Sequence, residues 1–228
     1  MSPPPAVLLP GTASDEVFVA RVFARPLAEA GYSLAAPASR GVREHFAALD
    51  AAWAGTPLLV GGVSMGAHVA ALWAVRHPAR CAGVLAALPA WHGEADGAPA
   101  ALTALASADA VESAGVEAAL AGVDGWLGDE LRRAWPRYGT RLAAALREAA
   151  GSRAPTRAEL GGLAVPVGVA ACTDDPIHPV EIARTWVGAL PRGALRTTTL
   201  AALGADRESL GRAALAAYAE ALSRTRRA

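Results

Sequence analysis

The chain has 228 residues, of which 53% are hydrophobic and 18% are charged, so a globular domain with a sizeable core is expected and a disordered chain is excluded. It carries 21 basic and 21 acidic residues, and this formal net charge of zero gives no signal for binding to nucleic acid or to an anionic membrane surface. No stretch approaches the roughly 18 apolar residues of a membrane span, and residues 1–5 lack the basic start and apolar core of a signal peptide. The two cysteines, Cys81 and Cys172, lie in apolar stretches and are expected to be buried thiols. A soluble, cytoplasmic protein is the expectation.

Short apolar runs alternate with helical patterns along most of the chain. The alternation predicts an α/β fold with a doubly wound, mostly parallel sheet of about six strands. Ligands of such sheets bind where the strands end, and the loops that carry Thr12, Ser64 and Asp175 each follow a strand. The predicted strands are 6–9, 32–36, 58–61, 82–88, 165–171 and 194–200. Five helices are predicted outside the segment between the fourth and fifth strands. The first runs from a cap at residue 14 or 15 to residue 30, the second covers 42–53, the third runs from the turn at 64 to just before 78, and the last two cover 181–190 and 206–221.

Between Pro89 and Pro155 the strand signal disappears, and helices are predicted over 101–120, 125–135 and 137–149. This region is therefore predicted to form a helical lid inserted after the fourth strand. It divides the chain into a core of residues 1–90 and 155–228 and a lid of residues 91–154. Aromatic side chains are concentrated in the lid, where we expect them to pack it onto the core and in part to line an apolar substrate pocket. These residues are Trp91, Trp126, Trp135 and Tyr138.

One stretch of the core combines a strand, a tight turn and a helix. The apolar run 58–61 leads into Gly62-x-Ser64-x-Gly66, and apolar residues at helical spacing follow. This context is typical of a nucleophile elbow, in which the serine occupies a strained turn and the flanking glycines let neighbouring chain approach closely. The N–H of Met65 opens the helix at the positive end of its dipole, so we expect it to supply half of an oxyanion hole. The alternative is an ordinary strand-to-helix turn with an incidental serine.

Two further segments extend this pattern. Pro10-Gly11-Thr12 follows the first strand, and Asp174-Asp175-Pro176-Ile177-His178-Pro179 follows the fifth. Together with the elbow and the position of the lid, these segments make the chain resemble the α/β-hydrolase superfamily along nearly its whole length. The resemblance implies the α/β-hydrolase fold, in a compact member that lacks the family's first two strands.

The resemblance also implies roles for individual residues. Ser64 matches the nucleophile, and the N–H groups of Met65 and Thr12 match the oxyanion donors. Asp175, directly before the proline, matches the acid that orients the histidine, with Asp174 as the alternative. These residue types are needed because a serine hydroxyl is a poor nucleophile until a base takes its proton, and because the tetrahedral oxyanion needs preorganised donors. Such chemistry calls for no cofactor and no metal.

The histidine that the family carries after its last strand is missing. That place reads Leu203-Gly204-Ala205-Asp206-Arg207, and no histidine follows His178. His178 lies three residues beyond Asp175 on the acid loop, and we take it as the candidate base. Alternatives remain open: His92 at the start of the lid can reach the cleft, Asp206 can act as a carboxylate base, or Ser64 serves only as a hydrogen-bond donor.

The other three histidines are expected to have structural positions. His45 and His77 are predicted to lie at the surface or to cap helices, and His68 is predicted to face neighbouring packing rather than the serine oxygen.

Three functions are compatible with this pattern. The first is a serine esterase or thioesterase, which hydrolyses a small, mostly apolar acyl substrate under the lid. The second, suggested by the missing histidine, is a lyase, cyclase or isomerase that uses the same pocket without a complete triad. The third is a binding protein that has lost catalysis. The fold alone does not choose among them.

Overall fold

The computed structural model describes residues 4–225, and a six-stranded sheet forms the centre of this part. The strands are β1 (Pro5–Leu9), β2 (Ser33–Ala35), β3 (Leu58–Val63), β4 (Cys81–Ala87), β5 (Val167–Cys172) and β6 (Gly193–Thr198). Their order in the sheet is β2-β1-β3-β4-β5-β6, and every neighbouring pair is parallel. β3 and β5 are buried along their whole length, as expected where helices cover both faces of a parallel sheet. The predicted α/β architecture is confirmed.

Helices cover the sheet on both sides and form two separate hydrophobic clusters with it. The helices are α1 (Glu16–Glu29), α2 (Val42–Ala52), α3 (Met65–Arg76), α4 (Pro99–Ala119), α5 (Gly125–Ala134), α6 (Leu142–Ala150), α7 (Arg157–Gly161), α8 (Val180–Ala189), α9 (Leu200–Ala205) and α10 (Glu208–Thr225). In one cluster Leu49, Trp73 and Trp186 pack from α2, α3 and α8, and in the other Phe23 and Leu210 pack from α1 and α10. No helix of the described residues is long and apolar enough to cross a membrane.

The segment between β4 and β5 is helical, as predicted, and contains α4, α5 and α6, followed by the short α7. Its details differ from the expected pattern at two places. α4 is interrupted at Gly115, whose φ of 83° is not helical, and the predicted helix over 137–149 begins only at Leu142. A 3-10 stretch over Trp135–Arg141 replaces its first turn, because Pro136 lacks an N–H donor and Gly139 has a φ of 56°. The division into residues 1–90 with 155–228 and 91–154 stays a prediction.

Two short helices, α7 and α9, were not predicted because neither is long enough to show a hydrophobic period. Each is marked instead by a capping threonine. Thr156 forms a capping box with Glu159, and the hydroxyl of Thr199 accepts the N–H of Ala202. β6 ends at Thr198, earlier than expected, because Thr199 caps the helix that follows.

His45 lies in the interior, so its predicted position at the surface or as a cap is wrong. Its side chain is fully buried on the inner face of α2, and Nε2 lies 3.0 Å from the carbonyl oxygen of Pro10. Because a carbonyl only accepts, this nitrogen carries the proton. Burial lowers the pKa of His45 to about 4, so the ring stays neutral. Cys81 and Cys172 are buried free thiols, as predicted.

Candidate active site

Ser64 sits at the junction of β3 and α3 with φ 53° and ψ −117°, a backbone conformation that an L-residue rarely adopts. Such a conformation costs on the order of 1–3 kcal/mol and persists only where the surroundings hold it. Here the N–H of Ser64 donates to the carbonyl of Ala87, and the carbonyl of Ser64 accepts the N–H groups of Ala67 and His68 in the first turn of α3. The turn lifts the Ser64 side chain out of the end of the sheet.

The two flanking glycines are required by close contact with the end of β1. A Cβ on Gly62 would lie 2.5 Å from the carbonyl oxygen of Leu9 and 2.7 Å from the carbonyl carbon of Gly66. A Cβ on Gly66 would lie 2.4 Å from the Leu9 oxygen and 2.6 Å from that of Pro10. These contacts bring β1 and the loop after it directly beside Ser64.

Three side chains from two loops meet at this point. The Oγ of Ser64 lies 3.0 Å from Nε2 of His178, and Nδ1 of His178 lies 2.9 Å from Oδ2 of Asp175. Because the carboxylate only accepts, Nδ1 carries the ring proton, and Nε2 is left to accept from the serine hydroxyl. The structure thus brings together the serine, histidine and aspartate that the sequence proposed, with acid and histidine both on the loop between β5 and α8.

The acid loop is folded by Asp175 itself. Its Oδ1 accepts the backbone N–H groups of Ile177 at 2.8 Å and His178 at 3.0 Å, which turns the chain so that the imidazole returns to the carboxylate. Burial alone would raise the pKa of Asp175, but the hydrogen bonds from His178 and the two N–H groups, with the His178 charge, outweigh it and hold the pKa below its usual value. The carboxylate is therefore ionised at neutral pH.

Two backbone N–H groups near Ser64 donate to no other residue in the described part of the chain. One belongs to Met65 at the first turn of α3, and the other to Thr12 in the loop after β1. This loop runs against the elbow, because a Cβ on Gly11 would lie 3.5 Å from Cβ of Ser64. The hydroxyl of Thr12 also donates to Sδ of Met65 at 3.6 Å. Unpaired backbone N–H groups beside a serine are the kind of donor that an oxyanion hole needs, so the two positions remain the predicted donors.

A cavity of about 420 Å³ opens at Ser64 and extends beneath the lid. Its walls are mostly apolar. The carboxylates in its lining are Asp175 and Glu130, and Glu130 is already paired with arginines. Pockets of this size and character hold small organic ligands. The lining residues come from the loop after β1 (Gly11, Thr12, Ala13, Ser14), α1 (Phe18), the elbow (Val63, Ser64), the end of β4 (Leu88, Trp91), the lid (Ala100, Thr103, Ala104, Ser107, Trp126, Leu127, Glu130, Leu131, Trp135, Leu146, Ala149, Ala150), the acid loop (Asp175, Pro176, Ile177, His178) and α9 (Leu200, Leu203).

The aromatic residues proposed for the pocket divide into two groups. Trp91, Trp126 and Trp135 line the cavity, whereas His92 and Tyr138 do not. The Tyr138 ring packs within the lid instead, and its hydroxyl donates to the carbonyl of Ser14 at 2.9 Å.

Asp206, proposed as an alternative base, and His68, predicted to face neighbouring packing, have different surroundings. Asp206 lies at the surface, where it accepts from the guanidinium of Arg212 and the N–H of Glu208. His68 is buried beside the rings of Trp91 and Trp186, and its Nε2 accepts the N–H of Ala90. Burial, with the nearby His178, lowers the pKa of His68 to about 3, so this ring is a neutral packing element, as expected. No group of three or more potential metal ligands occurs in residues 4–225.

The place after β6 where the family has its histidine is occupied by a lid residue. A Cβ on Gly204 would lie 2.6 Å from the indole ring of Trp126. The same indole stacks on Phe18 at a centroid distance of 6.5 Å and lies under the guanidinium of Arg207 at 4.7 Å. Ala205, at the end of α9, is exposed. Sequence reasoning did not foresee this contact, since it joins residues 78 positions or more apart with no local signal.

The parallel sheet, the elbow at the end of β3 and the helical insertion after β4 together define the α/β-hydrolase fold, and solved structures of that fold resemble this chain along most of its length. MenH from S. aureus superposes with a TM-score of 0.71 at 15% identity, over 96% of this chain and 94% of that one. Rv0554 from Mycobacterium tuberculosis gives 0.69 at 19% identity, over 95% and 90%. The enol-lactonase from Burkholderia xenovorans LB400 gives 0.66 at 17% identity, over 84% and 81%. A scan against protein-family models and a search of curated proteins gave no match.

Proposed function

We propose that the protein is a serine acyl hydrolase of the esterase or thioesterase type, with Ser64 as nucleophile, His178 as general base and Asp175 as the acid that orients it. The observation that carries the proposal is the pair of contacts of 3.0 Å and 2.9 Å that join the Ser64 hydroxyl, the His178 ring and the Asp175 carboxylate. The geometry matches the roles of a nucleophile, a base and an orienting group.

In the proposed reaction Ser64 Oγ attacks the carbonyl carbon of the ester while its proton passes to Nε2 of His178. The negative charge that develops on the carbonyl oxygen is stabilised by the N–H groups of Met65 and Thr12. His178 then gives the proton to the leaving alcohol or thiol, which departs and leaves an acyl-serine. Water attacks the acyl-serine with His178 again as base, the acid product leaves, and Ser64 recovers its proton. Neither a cofactor nor a metal takes part.

The proposed substrate is a small molecule with a mostly apolar acyl or alcohol part. The support is the apolar lining of the cavity, to which three tryptophans and several alanines and leucines contribute. Glu130, the one lining charge outside the proposed triad, is paired with Arg21, Arg133 and Arg207. A charged group on the substrate would therefore lose its hydration against this wall without gaining a partner.

The lyase, cyclase or isomerase alternative rested on the missing base. With His178 at hydrogen-bond distance from Ser64 Oγ, that argument loses its support, and acyl hydrolysis is the better proposal.

The decisive experiment is labelling with a fluorophosphonate probe, which reacts only with an activated serine, alongside hydrolysis of a p-nitrophenyl ester series. Wild-type protein should be labelled at Ser64 and should turn over the esters, and Ser64→Ala should do neither. Turnover that persists in purified Ser64→Ala, or an unlabelled wild-type protein, would contradict the proposal.

A further inference from the structure

The loop that carries the Thr12 N–H ends in a buried acid that is held by the lid. Asp15, only 2% exposed, is the N-cap of α1 and accepts the N–H of Phe18 at 2.9 Å. Two arginines of the lid bind the same carboxylate. Arg133 donates to both oxygens, at 2.8 Å and 3.2 Å, and Arg137 donates to Oδ2 at 3.1 Å. A forked contact of this kind fixes direction as well as distance.

The same loop contains a backbone conformation that the lid enforces. Ala13 has a φ of 55°, which is unfavourable for a residue with a Cβ, and its neighbour Ser14 closes the turn by donating to the carbonyl of Gly11 at 3.2 Å. Ala13 is 4% exposed and belongs to the hydrophobic cluster of the lid, with Trp135 and Tyr138. The lid core thus supplies the contacts that make this turn favourable.

A network of ion pairs links Arg133 to further residues around the site. Arg133 also binds Glu130, which is 5% exposed and in turn binds Arg21 of α1 and Arg207 before α10. Because the two buried acids share Arg133, removal of this arginine leaves both carboxylates less well compensated. Arg133 lies at the centre, since it is the residue bound to both acids.

From these contacts we propose that Arg133 is a positioning residue for the oxyanion hole: through Asp15 it holds residues 11–15 so that the Thr12 N–H faces the reacting carbonyl. The inference rests on the proposed function. It means that the lid does more than cover the substrate, because half of the oxyanion hole keeps its place only while residues 133–138 are docked. Removal of one oxyanion donor typically costs about 10²–10³-fold in kcat.

The test compares Arg133→Ala with Arg147→Ala. Arg147 is also a lid arginine with two acidic partners, Asp109 and Glu112, but it does not line the cavity and does not touch the loop. We expect Arg133→Ala to lower kcat by about 10- to 100-fold with KM little changed, as for a stabilisation made mainly in the transition state. Arg147→Ala should keep the wild-type kcat. Arg133→Lys should keep only part of the wild-type kcat, because Lys lacks the planar fork of the guanidinium group. Guanidinium ion added to Arg133→Ala should restore activity.

Hydrogen exchange at residues 11–15 gives a second readout that does not depend on turnover. Faster exchange in Arg133→Ala, but not in Arg147→Ala, is expected. Equal kcat in both variants together with equal exchange overturns the positioning role. Should Arg133→Ala fail to fold, Arg133→Lys and Tyr138→Phe, which loosen the same loop more gently, are judged by the same criteria. A wild-type protein that neither labels at Ser64 nor hydrolyses the esters overturns the proposed function, and the exchange comparison still decides whether Arg133 holds the loop.

Discussion

Asp175 and His178 lie three residues apart on one loop, with Oδ2 of the carboxylate 2.9 Å from Nδ1 of the ring. The acid and the histidine therefore take their relative position from a single turn, which the Asp175 side chain itself closes by accepting two backbone N–H groups. The arrangement leads directly to tests of the individual residues.

Replacement of Asp175 by Asn should lower kcat on the order of 10²-fold or more, because an amide both removes the charge opposite the imidazole and favours the wrong tautomer. Asp174→Asn is the matched control. Asp174 is exposed and accepts the N–H of Leu200 at 2.7 Å, away from the ring. Ester hydrolysis with both variants measures the effect. Loss of activity in Asp174→Asn alone would transfer the role to that residue.

Replacement of His178 by Ala should be as damaging as Ser64→Ala, and addition of Ala205→His to His178→Ala should restore nothing. The family position for the base is no longer open here, because the Trp126 ring covers Gly204 and Ala205 is exposed at the end of α9. Ester turnover and probe labelling of the single and double variants give the answer. A recovery of tenfold or more in the double variant, which general-base assistance can supply, would mean that this position still reaches Ser64.

Replacement of Gly204 by Ala should change substrate preference rather than chemistry. The added methyl group would lie 2.6 Å from the Trp126 ring, so the indole must shift against the cavity. We expect kcat/KM for long or aromatic acyl esters to fall by about tenfold, while the acetyl ester is nearly unaffected. Gly188→Ala, whose Cβ would meet nothing within 4 Å, is the control. A uniform loss over all esters would point to a misplaced site instead.

The stability of the protein should depend on Asp15 in a pH-dependent way. Burial alone would raise its pKa, but the bonds from Arg133, Phe18 and Arg137 lower it below the usual value. A carboxyl group whose pKa is lower in the folded state stabilises the fold fully at pH values above its unfolded-state pKa of about 3.9. This stabilisation is lost as the pH falls through the folded-state pKa. At pH 7 we expect Asp15→Asn to cost about 1–3 kcal/mol of unfolding free energy. Urea unfolding at pH 7 and at descending acid pH should show the gap between variant and wild type closing, and a constant gap would refute the linkage.

The sequence predicted the sheet well because its strands are continuous buried runs between turns, a signal that needs no tertiary information. It also placed Asp175 and His178 on one loop. It did not show that the loop folds back on itself. Aspartate side chains commonly close turns by accepting N–H groups a few residues later, and the Asp175 carboxylate does so with the N–H groups two and three residues along the chain. The positions of His45 and Trp126 were beyond reach for a different reason. Their partners, Pro10 and Gly204, lie 35 and 78 residues away, and only packing brings them together.

The compact acid loop has a consequence for how such a chain can change over time. Both proposed groups that serve the nucleophile lie within a stretch of four residues, so they are inherited or lost as one unit. The connection between β6 and α10 then carries neither of these proposed groups, and its remaining part in the site is to line the cavity with Leu200 and Leu203. In this chain it packs against a tryptophan of the lid, while the contacts of Asp175 and His178 with Ser64 are made elsewhere.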